Sequence, residues 1–285
     1  MIYLIIVSII WALSFSIIKG TLTNIDSNLV SFIRLGISFL VFLPFLKFKK
    51  INKKLIGQFI FIGFIQYGLM YVSYIYSYQF LKANQIAILT IFTPIFIVLI
   101  YDLWEKRIRI IHLISALLAV VGAGIIIYSD KTSVGVWKGI VLIQISNLCF
   151  AFGQVYFKKI LEKNANIKPI QIFSFLYFGA IIISGLFSLT FTDFSTITIS
   201  ANQWLSLIYL GIVASGIGFF LWNVGVTKVE AGSLAVLNNL KIPLAILFAF
   251  ILLDESIDLI KLIAGSVIIV IALIANEKYD NKFKL

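Results

Sequence analysis

The sequence is poor in acidic residues and in the side chains that form disulfides or bind metals. Of its 285 residues only 12 are Asp or Glu, against 23 Lys or Arg, and it has one cysteine, Cys149, and one histidine, His112. A single cysteine excludes an internal disulfide and a cysteine-based metal site. A single histidine argues against a histidine-ligated metal. We therefore expect neither a metal nor any other cofactor.

Charged residues as a whole are also scarce. They make up 12% of the chain, while hydrophobic residues make up 61%, whereas soluble domains are about a quarter charged and about half apolar. The net charge of +11 could suggest a nucleic-acid partner. However, the basic residues stand in short loops between apolar runs, where they act as topology signals. The composition predicts an integral membrane protein, in contact with the lipid bilayer and without a nucleic-acid partner.

Ten apolar segments long enough to span a bilayer follow one another along the chain. They cover residues 2–19, 28–46, 56–80, 84–103, 110–128, 137–158, 169–190, 203–224, 231–253 and 259–275. With a cytoplasmic N-terminus, 16 basic residues fall on the cytoplasmic side and 5 on the outside. This bias predicts a multi-pass protein of the cytoplasmic membrane with both termini in the cytoplasm. Either a monomer or a homodimer is compatible with the sequence.

The two halves of the chain, residues 1–130 and 136–277, resemble each other. The matching stretches are WALSFSIIKG (11–20) with FAFGQVYFKK (150–159), and residues 81–105 with residues 229–255. Because five helices per half is an odd number, the halves would enter the membrane in opposite directions. Inverted repeats are typical of alternating-access carriers, in which the solute site lies between the repeats near the middle of the membrane.

The ninth segment carries a lysine, Lys241, near its centre. A lysine there costs about 2.5–3.5 kcal/mol on insertion scales, and its side chain is too short to reach either membrane surface. Asn238 lies one helical turn earlier on the same face, and Asn239 adds a second amide. Such groups are tolerated only where they face a polar cavity or other protein. We interpret the three residues as the wall of a substrate site. The alternative for Lys241 is an internal tether to a neighbouring helix, and the alternative for the two amides is hydrogen bonding between helices.

Pro94 and Pro243 occupy matching positions in the two halves and are predicted hinges. Proline has no backbone N–H, so it leaves the carbonyls of Thr90 and Asn239 without their usual helical partners. Helices bend at such positions. We expect these bends to accompany a rocking of the two halves.

Further polar and aromatic residues inside apolar segments complete the candidate lining. They are Trp11, Ser14 and Phe15; Arg34; Gln66, Tyr67, Met70, Tyr71, Tyr74 and Tyr78 on one broad face of the third segment; and Gln144, Asn147 and Gln154. The alternative for the tyrosine face is aromatic packing between helices. The alternative for Arg34 is a structural role, with its side chain snorkelling to the membrane surface.

Other residues are assigned structural roles. Trp222 and Asn223 are interpreted as an interfacial anchor, and the small residues from Gly211 to Gly218 as a helix-packing stripe. Glu255 is expected to pair with a loop lysine or to cap a helix start.

No Asp or Glu lies deep inside an apolar segment. A cation site or a carboxylate proton relay within the membrane would need one. The sequence therefore favours a solute with a carboxylate or another anionic group, zwitterionic amino acids included. Any proton coupling would run through Lys241.

The order of these features resembles the EamA-type permeases of the drug/metabolite transporter superfamily. The resemblance rests on Trp11-Ala12 and Phe15, on Arg34 within FIRLG, on Pro94 and Pro243, and on Gly122-Ala123-Gly124 and Ala264-Gly265-Ser266. It implies a ten-helix, two-repeat carrier of small metabolites such as amino acids or amines, often directed outward. Lys241 stands where the first repeat has Phe92, which favours anionic groups at the site.

Together these features predict an all-α membrane carrier of an amino acid or another carboxylate-bearing solute, not an enzyme. The alternatives are an exporter of another small neutral or amine metabolite, and a non-transporting scaffold or accessory subunit. Two further classes are disfavoured because the apolar segments lack the residues that they need. A retinal-type photoreceptor needs a buried counter-ion, and an intramembrane enzyme needs a nucleophile–base set. A channel is disfavoured as well, because the sequence shows neither a ring of charges nor a filter-like loop.

Overall fold

A computed structural model gives the fold for most of the chain. It describes residues 2–47, 51–104, 134–228 and 231–255, and scattered positions between 106 and 125 and between 260 and 274. All regular secondary structure in these residues is helical. The fifth and tenth predicted segments, 110–128 and 259–275, fall largely outside the described residues, so the count of ten helices stays a prediction.

Eight described helices correspond to the other eight predicted segments. They are α1 (Ile2–Leu22), α2 (Ser27–Phe45), α3 (Lys53–Ser77), α4 (Ala83–Trp104), α5 (Val134–Lys163), α6 (Phe173–Phe191), α7 (Ala201–Val226) and α8 (Ala231–Leu253). The first seven are long and apolar enough to cross a membrane. Helix α8 has 23 residues, and about 20 suffice for a membrane span.

Several of these helices contain turns that are not α-helical. The π-helical turns are Ile18–Leu22 in α1, Phe64–Leu69 in α3 and Leu210–Ile217 in α7, and α4 contains the 3₁₀ turn Thr90–Phe92. One extra residue in a π turn rotates the helix face beyond it by about 100°. These turns therefore decide which side chains reach the centre of the bundle.

The most extensive helix contacts form a closed ring. Its order is α1, α8, α4, α5, α3, α6, α2, α7 and back to α1, so helices of the first half (α1–α4) alternate with helices of the second half (α5–α8). Exchanging α1 with α5, α2 with α6, α3 with α7 and α4 with α8 maps the ring of contacts onto itself. The described helices of the two halves therefore contribute equally to the ring.

Helices α3 and α6 approach each other at two glycines that leave no room for a side chain. A Cβ atom on Gly63 would lie 1.7 Å from the Leu176 carbonyl oxygen, and one on Gly179 would lie 1.9 Å from the Ile60 carbonyl oxygen. Small residues allow such close helix packing in membranes. No pattern in the sequence predicts this pair.

Glu255, just beyond α8, caps the start of α4. Its carboxylate accepts hydrogen bonds from the backbone N–H groups of Ala83 at 2.9 Å and Asn84 at 3.0 Å. Negative charge is favoured at a helix N-terminus because the unpaired N–H groups carry partial positive charge. Of the two predicted roles for Glu255, the structure shows the helix cap. The cap joins the end of a second-half helix to the start of a first-half helix.

We expect Glu255→Gln to lower the free energy of unfolding by about 1–3 kcal/mol, because a hydrogen bond to a charged acceptor contributes about 1.5–3 kcal/mol. Thermal unfolding of the purified protein measures this loss. The control is Asp254→Asn, because Asp254 is the neighbouring acid and is exposed. Its φ of 50° is one that asparagine tolerates. Equal melting temperatures for the two variants would contradict the cap.

Candidate substrate site

A cavity of about 80 Å³ lies inside the ring and is lined by α1, α2, α3, α4, α5, α7 and α8. This volume accommodates several water molecules. The polar lining residues include Lys241, Arg34, Tyr71, Tyr74, Ser146 and Asn147, and the aromatic ones are Trp11, Phe15, Phe150 and Phe219. The described lining contains no carboxylate. The cavity thus combines two basic groups with an aromatic wall.

Lys241 lies on the cavity wall, midway along α8. Its side chain is 5% exposed, and its Nζ donates a hydrogen bond to Asn238 Oδ1 at 3.2 Å. The same Nζ lies 5.3 Å from the centroid of the Trp11 ring. Within the part of the chain that the structure describes, no carboxylate compensates its charge. The predicted tether thus amounts to one amide and one ring face, which leaves the ammonium without a counter-ion.

Arg34 is the second cation of the cavity and is 1% exposed. Its Nη2 donates to the Tyr71 hydroxyl at 3.2 Å and to Ser215 Oγ at 3.0 Å. Its Cζ lies 4.7 Å from the centroid of the Tyr71 ring. Its Nε and Nη1 have no hydrogen-bond partner among the described residues. The snorkelling interpretation is wrong, because neighbouring helices enclose the guanidinium.

The π turn of α7 holds the side chains around the cavity. Its carbonyls accept hydrogen bonds from other helices: Gly211 from Ser38 Oγ at 2.8 Å, Ala214 from Trp11 Nε1 at 3.0 Å, and Ser215 from the Tyr177 hydroxyl. The bond to Ala214 orients the Trp11 ring beside Lys241. Ser215 was predicted only as a packing residue, and its hydroxyl was missed because the sequence gives no signal for the π turn.

The π turn of α3 divides the predicted tyrosine face. Beyond the turn, Met70, Tyr71 and Tyr74 line the cavity. The Tyr74 hydroxyl forms a hydrogen bond of 2.6 Å with that of Tyr78. Gln66 and Tyr67, which lie within the turn itself, are not part of the cavity lining.

Several predicted site residues lie outside the cavity lining although they are buried, among them Gln66, Tyr67, Gln154 and Asn238. The Tyr67 hydroxyl accepts a hydrogen bond from Asn223 Nδ2 at 2.8 Å. Gln66 packs against Gly153 of α5, where an added Cβ would lie 2.2 Å from the Gln66 Cβ. Gln154 follows Gly153 and is 3% exposed. Of the predicted amides on α8, Asn238 contacts Lys241, and Asn239 is half-buried.

Trp222 and Asn223 do not form an interfacial anchor, so that prediction was wrong. They are 0% and 1% exposed, and the Trp222 ring centroid lies 4.8 Å from that of Trp11. Both side chains point into the bundle because α7 is surrounded there by other helices. Trp222 thereby packs against Trp11, which lines the cavity.

The 3₁₀ turn of α4 changes the predicted effect of Pro94. The carbonyl of Thr90 accepts a hydrogen bond from the N–H of Thr93, so it is not free as predicted. The carbonyl of Leu89 instead accepts from Asn147 Nδ2 at 2.8 Å. Helix α8 continues through Pro243. The hinge role of both prolines stays a prediction.

Asp102 of α4 and Glu255, just beyond α8, are not part of the cavity lining. Asp102 is 4% exposed in the last turn of α4, and Glu255 forms the cap of α4. The two basic side chains therefore dominate the electrostatics of the cavity.

A bundle of membrane-spanning helices around a central cavity that contains buried basic side chains is the architecture of a membrane transporter of small molecules. The model of the EamA-like transporter family matches residues 1–128 and 137–276 of the chain. The chain belongs to this family, as the order of its motifs predicted.

Several similar proteins are biotin transporters by name. The chain is 36% identical to the "Biotin transporter" of Salmonella typhimurium (strain LT2) over 97% of this chain and 92% of that protein. The same values hold for the "Biotin transporter" of Escherichia coli (strain K12). For the "Probable biotin transporter" of Pseudomonas aeruginosa the identity is 34%, over 96% of each chain.

A crystal structure of another protein has the same fold. Its TM-score is 0.67 at 15% identity, and the match covers 100% of this chain and 97% of that chain. Family and relatives together establish a multi-pass membrane transporter of a small metabolite, and not an enzyme.

Proposed function

We propose that the protein carries biotin across the cell membrane. Relatives named as biotin transporters, at 34–36% identity over nearly the whole chain, support this substrate. Biotin has a carboxylate, an aliphatic chain and a compact ring system that ends in a urea group. An amino acid, the expectation from the sequence, carries an ammonium group as well, and the described lining offers it no carboxylate.

The observation that carries the proposal is the ammonium of Lys241 on the cavity wall, which no carboxylate compensates among the residues that the structure describes. Removing a charge from water is costly unless an opposite charge compensates it. A substrate carboxylate would supply that charge. We therefore assign Lys241 to the biotin carboxylate, with Asn238 positioning the ammonium through its 3.2 Å hydrogen bond.

We further propose that two inverted repeats, residues 1–130 and 136–277, rock about the cavity. The two matches to the family model and the contact ring that survives exchange of the halves support this arrangement. The basic loops support cytoplasmic termini. The rocking would open the cavity to each side of the membrane in turn, with bends at Pro94 and Pro243.

Proteoliposomes containing the purified protein test the proposal. We expect saturable uptake of labelled biotin that unlabelled biotin on the opposite side accelerates, because a carrier returns faster when loaded. Biotin should also raise the melting temperature, because it binds only the folded state. A channel would give flux without such acceleration, and a scaffold would give no flux. If a neutral or amine metabolite moves and biotin does not, the assigned substrate is wrong.

A further inference from the structure

A row of three aromatic rings connects the two cations of the cavity. Lys241 Nζ lies 5.3 Å from the centroid of Trp11, whose own centroid is 4.9 Å from that of Phe219. The Phe219 and Tyr71 centroids are 5.9 Å apart, and Arg34 Cζ lies 4.7 Å from the Tyr71 centroid. All five residues line the cavity. One wall is thus a row of rings with a cationic donor at each end.

The donors at both ends have unused hydrogen-bonding capacity. Lys241 has one hydrogen-bond partner, Asn238, among the described residues, although an ammonium group can donate three hydrogen bonds. Arg34 Nε and Nη1 have none in the same described part of the chain. Buried donors without partners are unfavourable, and charged ones most of all. A ligand with an acceptor at each end and an apolar middle would satisfy both ends and cover the rings.

We propose that the substrate lies along this row, with its carboxylate at Lys241 and its urea carbonyl at Arg34. This inference rests on the proposed function for the identity of the substrate. It makes Arg34 the residue that selects the ring end of biotin, while Lys241 selects the carboxylate.

The orientation follows from the different chemistry of the two cations. An ammonium is a compact, strongly hydrated charge, whereas a guanidinium is delocalised and weakly hydrated. Lys241 therefore needs a full negative charge when water is displaced. Arg34 stacks on Tyr71 and already donates to two hydroxyl groups, Tyr71 and Ser215. A neutral but strong acceptor such as a urea oxygen is therefore sufficient to accept hydrogen bonds from the remaining N–H groups of Arg34.

Binding of three probes to purified protein in detergent tests the orientation. The probes are biotin, its methyl ester, which lacks the carboxylate charge, and thiobiotin, in which sulfur replaces the urea oxygen and accepts hydrogen bonds weakly. Wild-type protein should bind biotin at least about tenfold more tightly than either analogue, which corresponds to about 1.4 kcal/mol. Lys241→Met should lose the discrimination against the ester and keep that against thiobiotin.

Arg34→Met should show the opposite pattern: it should lose the discrimination against thiobiotin and keep that against the ester. If this variant does not fold, Arg34→Lys and Tyr71→Phe provide the same comparison with smaller disturbance. Loss of ester discrimination in the Arg34 variants alone would reverse the orientation. Loss of the ester discrimination in every variant, with the discrimination against thiobiotin unchanged, would mean that one carboxylate bridges both cations. Either result overturns the inference.

Heptanedioate, a linear dicarboxylate with acceptors at both ends, separates this inference from the proposed function. If heptanedioate binds and biotin does not, the site with two polar ends stands and biotin is the wrong substrate. If biotin binds no better than both analogues, the substrate stands and the site is wrong. If neither biotin nor any member of a length series of dicarboxylates binds, both proposals fail.

Discussion

Lys241→Met is expected to abolish transport while leaving the fold intact. Losing one member of a buried, hydrogen-bonded charge pair costs about 2–5 kcal/mol. At about 1.4 kcal/mol per factor of ten, the affinity for biotin should fall about 30-fold or more, and the flux at low biotin concentration should fall with it. Flux into proteoliposomes, measured at equal amounts of inserted protein, gives the result.

The stability of the same variant separates a substrate-binding role from a tether. An ammonium in an apolar interior costs about 2.5–3.5 kcal/mol, so replacing it with methionine should maintain or raise the melting temperature in the absence of biotin. A lower melting temperature with wild-type flux would show that Lys241 is a tether, and the proposed site would be wrong.

The matched control is Lys138→Met. Lys138 also faces aromatic rings, at 5.0 Å from Tyr76 and 4.8 Å from Phe80, and it donates to the Tyr76 hydroxyl at 3.1 Å. It differs from Lys241 in being exposed. We expect normal flux in this control, because an exposed cation–π contact contributes only about 0.5–1 kcal/mol.

Gly63→Ala is expected to disrupt the bundle. The added Cβ would lie 1.7 Å from the backbone oxygen of Leu176, so α3 and α6 must move apart along their contact. Inserting even one methylene into a well-packed interior costs about 1–3 kcal/mol, and a clash with backbone cannot be relieved by a rotamer change. We expect a loss of about 3 kcal/mol or more, seen as a large drop in melting temperature and in the yield of folded protein.

Gly57→Ala is the control on the same helix. Gly57 is exposed, and an added Cβ would meet no heavy atom within 4 Å. Alanine is favoured over glycine in a helix by about 0.8–1 kcal/mol, so the melting temperature should stay constant or rise. A similar drop for both variants would show that the helix, and not the α3–α6 contact, is the sensitive element. Gly179→Ala tests the contact from its other side.

The residues that line the cavity differ in part from those that helical periodicity predicted. A spacing of four residues placed Gln66 and Tyr67 with Tyr71 and Tyr74 on one face, but the π turn Phe64–Leu69 changes the register between them. Such a turn is held by contacts with other helices, so no local residue pattern announces it. The same reason explains why the Ser215 hydroxyl was missed and why Pro94 does not free the carbonyl of Thr90.

Trp222 illustrates a second limit. A tryptophan near the end of an apolar segment is typical of a membrane interface, yet Trp222 is fully buried beside Trp11. The environment of a side chain on a membrane helix depends on which helices surround it. Those neighbours come from distant parts of the chain.

Composition and the length of the apolar segments are enough to predict that the chain is helical, that it enters a membrane many times, and that Lys241 lies near the middle of an apolar segment. Long apolar segments can satisfy their backbone in lipid only as helices, so composition and length are enough for these statements. The packing of the helices places Arg34 in one cavity with Lys241, makes Trp11, Phe219 and Tyr71 the wall between them, and brings Glu255 to the start of α4. Each of these depends on contacts between helices far apart in the chain, and such contacts leave no periodic signal in any one segment.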